Sequence, residues 1–518
     1  MAAEPRPWCR VSPLGSEGLS GVRVEQDLSH AERVVEPDVS SAQGRRILAP
    51  GRNCWRVEES RNAAVLIDGA SYFSTLEAAL RRAERSIWIL GWDFDGSIRL
   101  RPDVGPEESP PLGPLLRSLV EARPNLEIRI LVWSLAPVHA PGDPVPLLLG
   151  TDWQQHPRLV VRLDTHHPLY AAHHQKIVCI DDSLAFAGGM DLTVRRWDTS
   201  RHAADDPVRL GANGKPCAPL HDIQMAVDGK AALAMAQLAR RRWRIATGEK
   251  LGAVETRQDL WPSDLMSDFC NVPVAIARTA PAWGSEPEIR EAAALTADAL
   301  RAARNRIYIE AQYMTAGFVG DILCARLAGP DGPEIVVVMT HQSNGLVERL
   351  VMGSNRDRMI RRLRNADRHG RLRVFYPCVP TRDGERRQVL IHSKLIIVDD
   401  VFLRVGSSNL NNRSVGLDTE CDLAIEAQDV RTRRAIANIR DRLLTEHLAV
   451  RPDDVSRASM ETGSLIRAID ALNRNPRGLR AFEAMDDRGP SKPIFATRLL
   501  DPTKPFEPLW FARRVHSR

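Results

Sequence analysis

One eight-residue pattern occurs twice in this chain. His174-Gln175-Lys176-Ile177-Val178-Cys179-Ile180-Asp181 and His392-Ser393-Lys394-Leu395-Ile396-Ile397-Val398-Asp399 both read His-x-Lys-x-x-x-x-Asp, 218 residues apart from His174 to His392. In each copy a turn of small residues begins seven positions after the aspartate: Gly188-Gly189-Met190-Asp191 and Gly406-Ser407-Ser408-Asn409. The apolar, β-branched run inside each motif reads as a buried strand. Side chains alternate along a strand, so His174 and Lys176 share a face, as do His392 and Lys394. Each motif aspartate opens an Asp-Asp pair, Asp181-Asp182 and Asp399-Asp400, which is a turn signal. Asp181 and Asp399 are therefore expected to brace a strand–turn–strand unit, although they complete the motif and are counted with its catalytic set.

The flanking sequence repeats as well. Before the first motif, strands are read at 63–67, 86–92, 127–133 and 159–163, with helices at 72–83 and 112–122. Before the second, strands are read at 272–277, 305–310, 334–339 and 371–375, with a helix at 289–303 and a basic helix from Val347 to Arg368. After the motifs, Asp222 to Val227 and Glu420 to Ile425 share one alternation, acidic first and apolar at every second position, and a helix follows each. Strand–helix alternation in a long duplicated unit predicts an α/β fold: two similar mixed-sheet domains flanked by helices and related by a pseudo-two-fold axis. The expected organisation is a flexible arm over 1–52, domains over 53–260 and 261–450, and a loosely packed tail over 451–518 with one short helix near Ile466 to Leu472. The arginines Arg240-Arg241-Arg242 and Arg361, Arg362, Arg364 and Arg368 read as solvated helix faces.

Two such domains can bring both His-x-Lys strands to one cleft holding two imidazoles and two ammonium groups. The lysines, Lys176 and Lys394, suit phosphate oxygens whose negative charge grows on nucleophilic attack. The imidazoles, His174 and His392, suit a two-step displacement: one attacks phosphorus, and the other protonates the leaving oxygen and then deprotonates the acceptor. A nucleophilic imidazole needs an acceptor on its second nitrogen, and the repeat offers Asp222 and Glu420 in equivalent places. Ser407 and Asn409, with Asp191 at the matching turn, are candidates for hydrogen bonds to phosphate or to the histidine strand. No spacing of His, Cys or acidic residues resembles a metal cage, so neither metal nor cofactor is expected.

These residues resemble the phospholipase D superfamily, whose signature is the duplicated motif followed by a Gly-Gly or Gly-Ser turn. The likeness runs from about Trp55 to Leu448 and includes Ile307-Tyr308-Ile309-Glu310-Ala311-Gln312-Tyr313, with Ala311 in place of the family's Asn. Gly406 to Ser414, through Asn411-Asn412-Arg413-Ser414, is similar to the phospholipase subset, of bacterial type. The resemblance implies a metal-independent phosphodiesterase with His174 as nucleophile and His392 as acid/base; the residues alone leave those two roles open. It implies hydrolysis of the head-group ester of glycerophospholipids, for example phosphatidylcholine to phosphatidic acid and choline through a phosphohistidine, with transfer to an alcohol as a further outcome. A superfamily nuclease, a cardiolipin or phosphatidylserine synthase-type phosphatidyltransferase and a non-catalytic membrane module are the alternatives.

The net charge of +5 fits anionic substrates or anionic membrane surfaces without choosing between them. The eight cysteines include no Cys-x-x-Cys pair, so neither a zinc ribbon nor a redox motif is indicated. No apolar run is long enough to span a bilayer, and Glu4, Pro5, Arg6 and Pro7 break up any signal-peptide core. The expected setting is cytoplasmic or peripheral to a membrane, with export by a route other than a signal peptide left open. The expected partners are a lipid substrate at a membrane surface and water or an alcohol, without nucleic acid, on a monomer.

Overall fold

The computed structural model describes residues 46–135, 150–211, 214–255, 259–341, 353–482, 490–492 and 501–505. Residues 1–45 of the expected arm and 347–352 of the expected basic helix lie outside them. The first half comprises β1 (Arg56–Ile67), a helix over Asp68–Leu80, β2 (Ser86–Gly91), a helix over Leu112–Ala122, β3 (Glu127–Trp133), β4 (Leu159–Asp164), β5 (Ile177–Ile180), β6 (Leu184–Gly188), β7 (Leu220–His221), β8 (Ile223–Asp228) and a helix over Gly229–Thr247. The second comprises β9 (Phe269–Ala280), β10 (Ile289–Arg290), a helix over Glu291–Ala302, β11 (Arg306–Ala311), a helix over Gly317–Ala328, β12 (Glu334–Met339), a helix over Ser354–Ala366, β13 (Leu372–Pro380), β14 (Arg386–Gln388), β15 (Leu390–Ile391), β16 (Lys394–Val398), β17 (Phe402–Gly406), β18 (Glu420–Glu426) and a helix over Val430–Leu448. Helices over Pro452–Thr462 and Leu465–Leu472 and β19 (Gly478–Ala481) follow.

The pairing makes the duplication explicit. In the first half the strands run β4-β3-β2-β5-β6-β8-β1, and in the second β13-β12-β11-β16-β17-β18-β9, each with parallel pairs at the outer end and antiparallel pairs inward. The inner strands β1 and β9 pair antiparallel, so the halves share one continuous sheet. From Ile47 onward the chain is one compact unit.

Apart from Lys394 at the head of β16, both motif strands are apolar at every position because both faces are covered. Ile177 and Cys179 of β5, with Leu395 and Ile397 of β16, pack into a core shared by the two halves and roofed by the helices Gly229–Thr247 and Val430–Leu448. Val178 and Ile180 face a second core on the first half, and Ile396 and Val398 a third on the second half.

The structure corrects three expectations. Ile47 is buried, and its backbone and that of Leu48 donate to the Glu426 carboxylate at 2.8 and 3.1 Å, so packing begins ahead of residue 52. In the described part of the tail, Leu465, Ile466, Ile469 and Leu479 are buried and β19 pairs with β13; a segment this short gives its apolar positions little periodicity to read. Arg240 and Arg242 are not a solvated face: Arg240 is buried against Asp182 at 2.6 Å, and Arg242 grips Asp164. Arg440 meets Asp400 in the equivalent place, so each motif hairpin is tied by its second aspartate to the helix above it.

Candidate active site

The motif histidines lie in the segments leading into β5 and β16, and each of those segments runs alongside the other half. The His174 backbone N–H donates to Thr419 O at 3.1 Å, and that of His392 to His221 O at 2.8 Å. This crossing fixes the side chains. His174 Nδ1 lies 2.9 and 3.1 Å from the two oxygens of Glu420, a residue of the second half. His392 Nδ1 lies 2.6 Å from Asp222 Oδ2, a residue of the first half. Each half supplies the imidazole for one pair and the carboxylate for the other. The side chains of His174 and His392 are 16% and 12% exposed while both carboxylates are fully buried, so a substrate reaches only the rings. An Nδ1–H held by a carboxylate leaves Nε2 free for the substrate side.

The lysines complete the cluster. Lys176 Nζ donates to His174 O at 2.9 Å and lies 3.2 Å from Asp191 Oδ2. Lys394 Nζ donates to Gln312 Oε1 at 3.0 Å and to the His392 carbonyl. Burial, and next the Lys176 and Lys394 ammoniums, hold His174 well below the ordinary histidine range. Burial and Lys394 do the same to His392. Burial, opposed by Asp222 and reinforced by Lys176, brings Lys394 down to about 7. His174 feels the Lys394 ammonium of the second motif, and Lys394 feels the Lys176 ammonium of the first, so the two motifs lie within electrostatic reach of one another.

The two carboxylates are not equivalent. Burial pushes Glu420 up to about 7, although it accepts hydrogen bonds from Ser407 and Ser414. Burial also works against ionisation of Asp222, but His392 and then Lys394 outweigh it and hold that carboxyl below its usual range. The turns are matched to this difference. A Cβ on Gly189 would overlap the Asp222 carboxylate, whereas Ser407, its counterpart, places a hydroxyl on the longer Glu420.

Asp181 and Asp399, counted with the catalytic set for completing the motif, hold the bracing positions expected of their turns. Asp181 accepts the N–H groups of Glu84, Arg85 and Ser86 at 2.7, 2.8 and 2.7 Å. Asp399 accepts those of Arg304, Asn305 and Arg306 at 2.6, 2.7 and 2.8 Å. Both sit at the far end of the motif strand from its histidine, with φ of 50° and 52°, in the left-handed turn that closes the hairpin. Ser407 serves the carboxylate behind His174 rather than the histidine strand. The Asn409 N–H donates to Ser414 Oγ, while its side-chain oxygen is buried and makes no hydrogen bond. Asp191 receives the N–H groups of Trp92 and Asp93 at 2.8 and 3.3 Å besides its contact with Lys176.

Several contributors escaped the sequence reading. Arg413 forms a paired contact with Asp418 at 2.8 and 2.7 Å, and Asp418 receives the Ala172 N–H at 2.8 Å, fixing the loop ahead of His174. The Asn411-Asn412-Arg413-Ser414 string was the visible signal for both Arg413 and Ser414. Arg196 adds positive charge felt by His392 and Lys394, and no motif announces it. Glu310, inside the Ile307 to Tyr313 segment, is fully buried and accepts from His221, His447, Tyr308 and Ser393 at 2.9, 2.9, 2.7 and 2.8 Å.

Fold and site together define a duplicated α/β protein with two lysines and two His–carboxylate pairs exchanged between its halves. The chain is similar to proteins of the phospholipase D superfamily. Residues 297–440 match the family described as "Cardiolipin synthase, PLD-like domain". The chain is 24% identical over 495 residues to phospholipase D1 of Saccharomyces cerevisiae, covering 74% of this chain and 28% of that one. It is 23% identical over 468 residues to phospholipase D A of Dictyostelium discoideum, covering 74% and 35%. The matches thus span about a third of those relatives' length. Among solved structures, a phosphatidylserine synthase from Haemophilus influenzae superposes with a TM-score of 0.52 at 12% identity, covering 80% of this chain and 96% of that chain, and shows the same fold.

Proposed function

We propose that the chain hydrolyses the head-group phosphodiester of glycerophospholipids. The observation that carries this reading is the exchanged pairing His174–Glu420 and His392–Asp222 beside two lysine ammoniums. The phosphodiester anion binds between Lys176 and Lys394. Its charge offsets the ammoniums that depress both histidines, so an imidazole can take up a proton once substrate is bound. Asp222, held ionised, supports a positive ring better than Glu420 does, which makes His392 the acid and leaves neutral His174 as nucleophile. The His174 Nε2 lone pair forms the bond to phosphorus, the bond from phosphorus to the head-group oxygen breaks, and His392 Nε2 delivers the proton to that oxygen. His392, now neutral, takes a proton from water as its oxygen attacks phosphorus. The P–N bond breaks, and phosphatidic acid leaves with His174 restored. An alcohol in place of water gives transfer instead.

The names of the yeast and Dictyostelium relatives support a lipid substrate. So does the exposed apolar pair Leu169 and Tyr170, just upstream of His174, which can enter a lipid surface. Among the described residues no helix is long and apolar enough to cross a membrane, and the proposed association is peripheral. The test incubates purified protein with mixed phospholipid vesicles and ethanol in the presence of EDTA. Phosphatidic acid and phosphatidylethanol are expected, and both should vanish in His174→Ala and in His392→Ala. Turnover of DNA but not vesicles, or turnover of neither, would overturn the lipid reading.

A further inference from the structure

Behind His392 lies a second cluster that the proposed reaction does not use. Asp68, His202, His221 and Glu446 each present one ligand atom, all within 4.8 Å of one another. They come from the start of a helix, a loop, β7 and the last turn of the helix Val430–Leu448. His202 Nε2 lies 2.9 Å from Glu446 Oε1 and 3.6 Å from Asp68 Oδ2. His221 Nδ1 lies 3.0 Å from both Asp68 Oδ1 and Glu446 Oε1.

The opposite nitrogen of each ring is already held. His202 Nδ1 faces Asp198 Oδ2 at 3.0 Å, and Asp198 is itself paired with Arg209 at 2.7 Å. His221 Nε2 faces Glu310 Oε2 at 2.9 Å. With its outer N–H given to one of these carboxylates, each imidazole can turn a lone pair inward, an arrangement characteristic of metal-bound histidine.

Three further observations favour an ion over hydrogen bonds alone. Both Asp68 oxygens are fully buried and make no hydrogen bond. His221 Nδ1 is likewise buried and, though equidistant from two carboxylate oxygens, aligned with neither. Asp68 and His202 also hold left-handed backbones, with φ of 66° and 46°, a strain that tends to persist where it aims a side chain for a purpose.

We propose that Asp68, His202, His221 and Glu446 bind one divalent transition-metal ion, zinc by the donor set, as a closed structural site. Two imidazole nitrogens and two carboxylate oxygens suit tetrahedral zinc, whose bonds of about 2.0–2.1 Å place ligands about 3.3 Å apart. The His–carboxylate separations, counting both Asp68 oxygens, run from 2.9 to 3.6 Å on either side of that spacing. The ion would act as a clamp. Asp68 N–H donates to Asp222 O, and His221 O accepts the N–H of His392, both at 2.8 Å, while Glu446 comes from the second half. One ion therefore ties the halves together beside the His392–Asp222 pair. Its four ligands are scattered over the sequence, which is why no spacing announced them.

The test is elemental analysis of the full chain, purified without a metal-affinity tag and dialysed against chelator. About one zinc per chain is expected. Glu446→Gln, close in shape, and His202→Asn should lower that content at least about tenfold. Asp198→Asn, which keeps all four ligands, guards against misfolding of those variants and should weaken retention by about 10- to 100-fold in chelator competition. Cobalt-substituted wild type should show tetrahedral d–d absorption that the ligand variants lack. A wild type free of transition metal overturns the proposal in favour of two imidazolium rings. Full metal content in Glu446→Gln and His202→Asn overturns it too, by placing the ion elsewhere. Metal content is read independently of phosphodiester turnover, so either result stands without the other.

Discussion

The two motif histidines occupy matching positions, yet the carboxylates behind them differ by one methylene and by everything that follows from it. Behind His392, the shorter Asp222 packs against Gly189, accepts a single imidazole contact at 2.6 Å and stays ionised. Behind His174, Glu420 receives two serine hydroxyls and is pushed by burial up to about 7. The lysines differ as well: Lys176 faces the Asp191 carboxylate, and Lys394 the neutral amide of Gln312. The repeat places two matching sites, and on the proposed mechanism these small divergences give one histidine the better support for positive charge and leave the other the better chance of remaining a neutral nucleophile.

The sharpest way to break that comparison is to remove each ring in turn. His174→Ala and His392→Ala should each lower turnover of a natural substrate by about 10⁴-fold or more. With a substrate bearing an activated leaving group, labelling quenched in alkaline detergent, which preserves the acid-labile P–N bond, should still detect a phosphoenzyme in His392→Ala and none in His174→Ala. The reverse pattern would exchange the two roles. Next in size are the carboxylates. Asp222→Asn should cost about 10³-fold in kcat, and Glu420→Gln about 10²-fold. Equal losses would mean that the asymmetry has no catalytic meaning.

The pH profile sharpens the comparison further. Glu420, raised to about 7, is protonated below that pH and ionised above it. Lys394, lowered to about 7, carries its charge below that pH and loses it above. kcat/KM, which reports the free enzyme, should therefore rise through about 7 with Glu420 and fall again through about 7 with Lys394, giving a narrow bell. Lys394→Arg should abolish the falling limb and Glu420→Gln the rising one; a profile unchanged by either would assign the limbs to other groups.

The smallest expected effects are on stability. Asp181→Ala strands three N–H groups at a fully buried carboxylate and should cost about 3 kcal/mol in denaturant unfolding. Asp399→Ala, at a more exposed end of the repeat, should cost about half of that. In both, kcat of the folded protein should stay near wild type. A large loss of kcat without loss of stability would return these aspartates to the chemistry.

Much of this was legible along the chain because it is local. β3 matches the strand read at 127–133, and β2 and β4 match within a residue, since an apolar run between turn residues has few other solutions. The Asp-Asp turns were readable for the same reason: they act on backbone a few residues away. The helix edges were less so. Ile289 and Arg290, at the head of an expected helix, pair instead with β9, a tertiary contact overriding local propensity. Asp222 and Glu420 were recognisable as candidates from the repeat, but not their exchange between halves, which depends on β7 lying beside β15 and Thr419 beside His173.

The sequence by itself determined the duplication, the buried motif strands, the His and Lys pairs and the bracing role of the aspartates, because strand periodicity and turn chemistry act between near neighbours. Only the tertiary structure decided which carboxylate serves which histidine, how far burial shifts each of them, and that Asp68, His202, His221 and Glu446 share one point in space. Electrostatic coupling and ligand geometry depend on distance through the folded body, and residues hundreds of positions apart acquire that distance only when the sheet closes across β1 and β9.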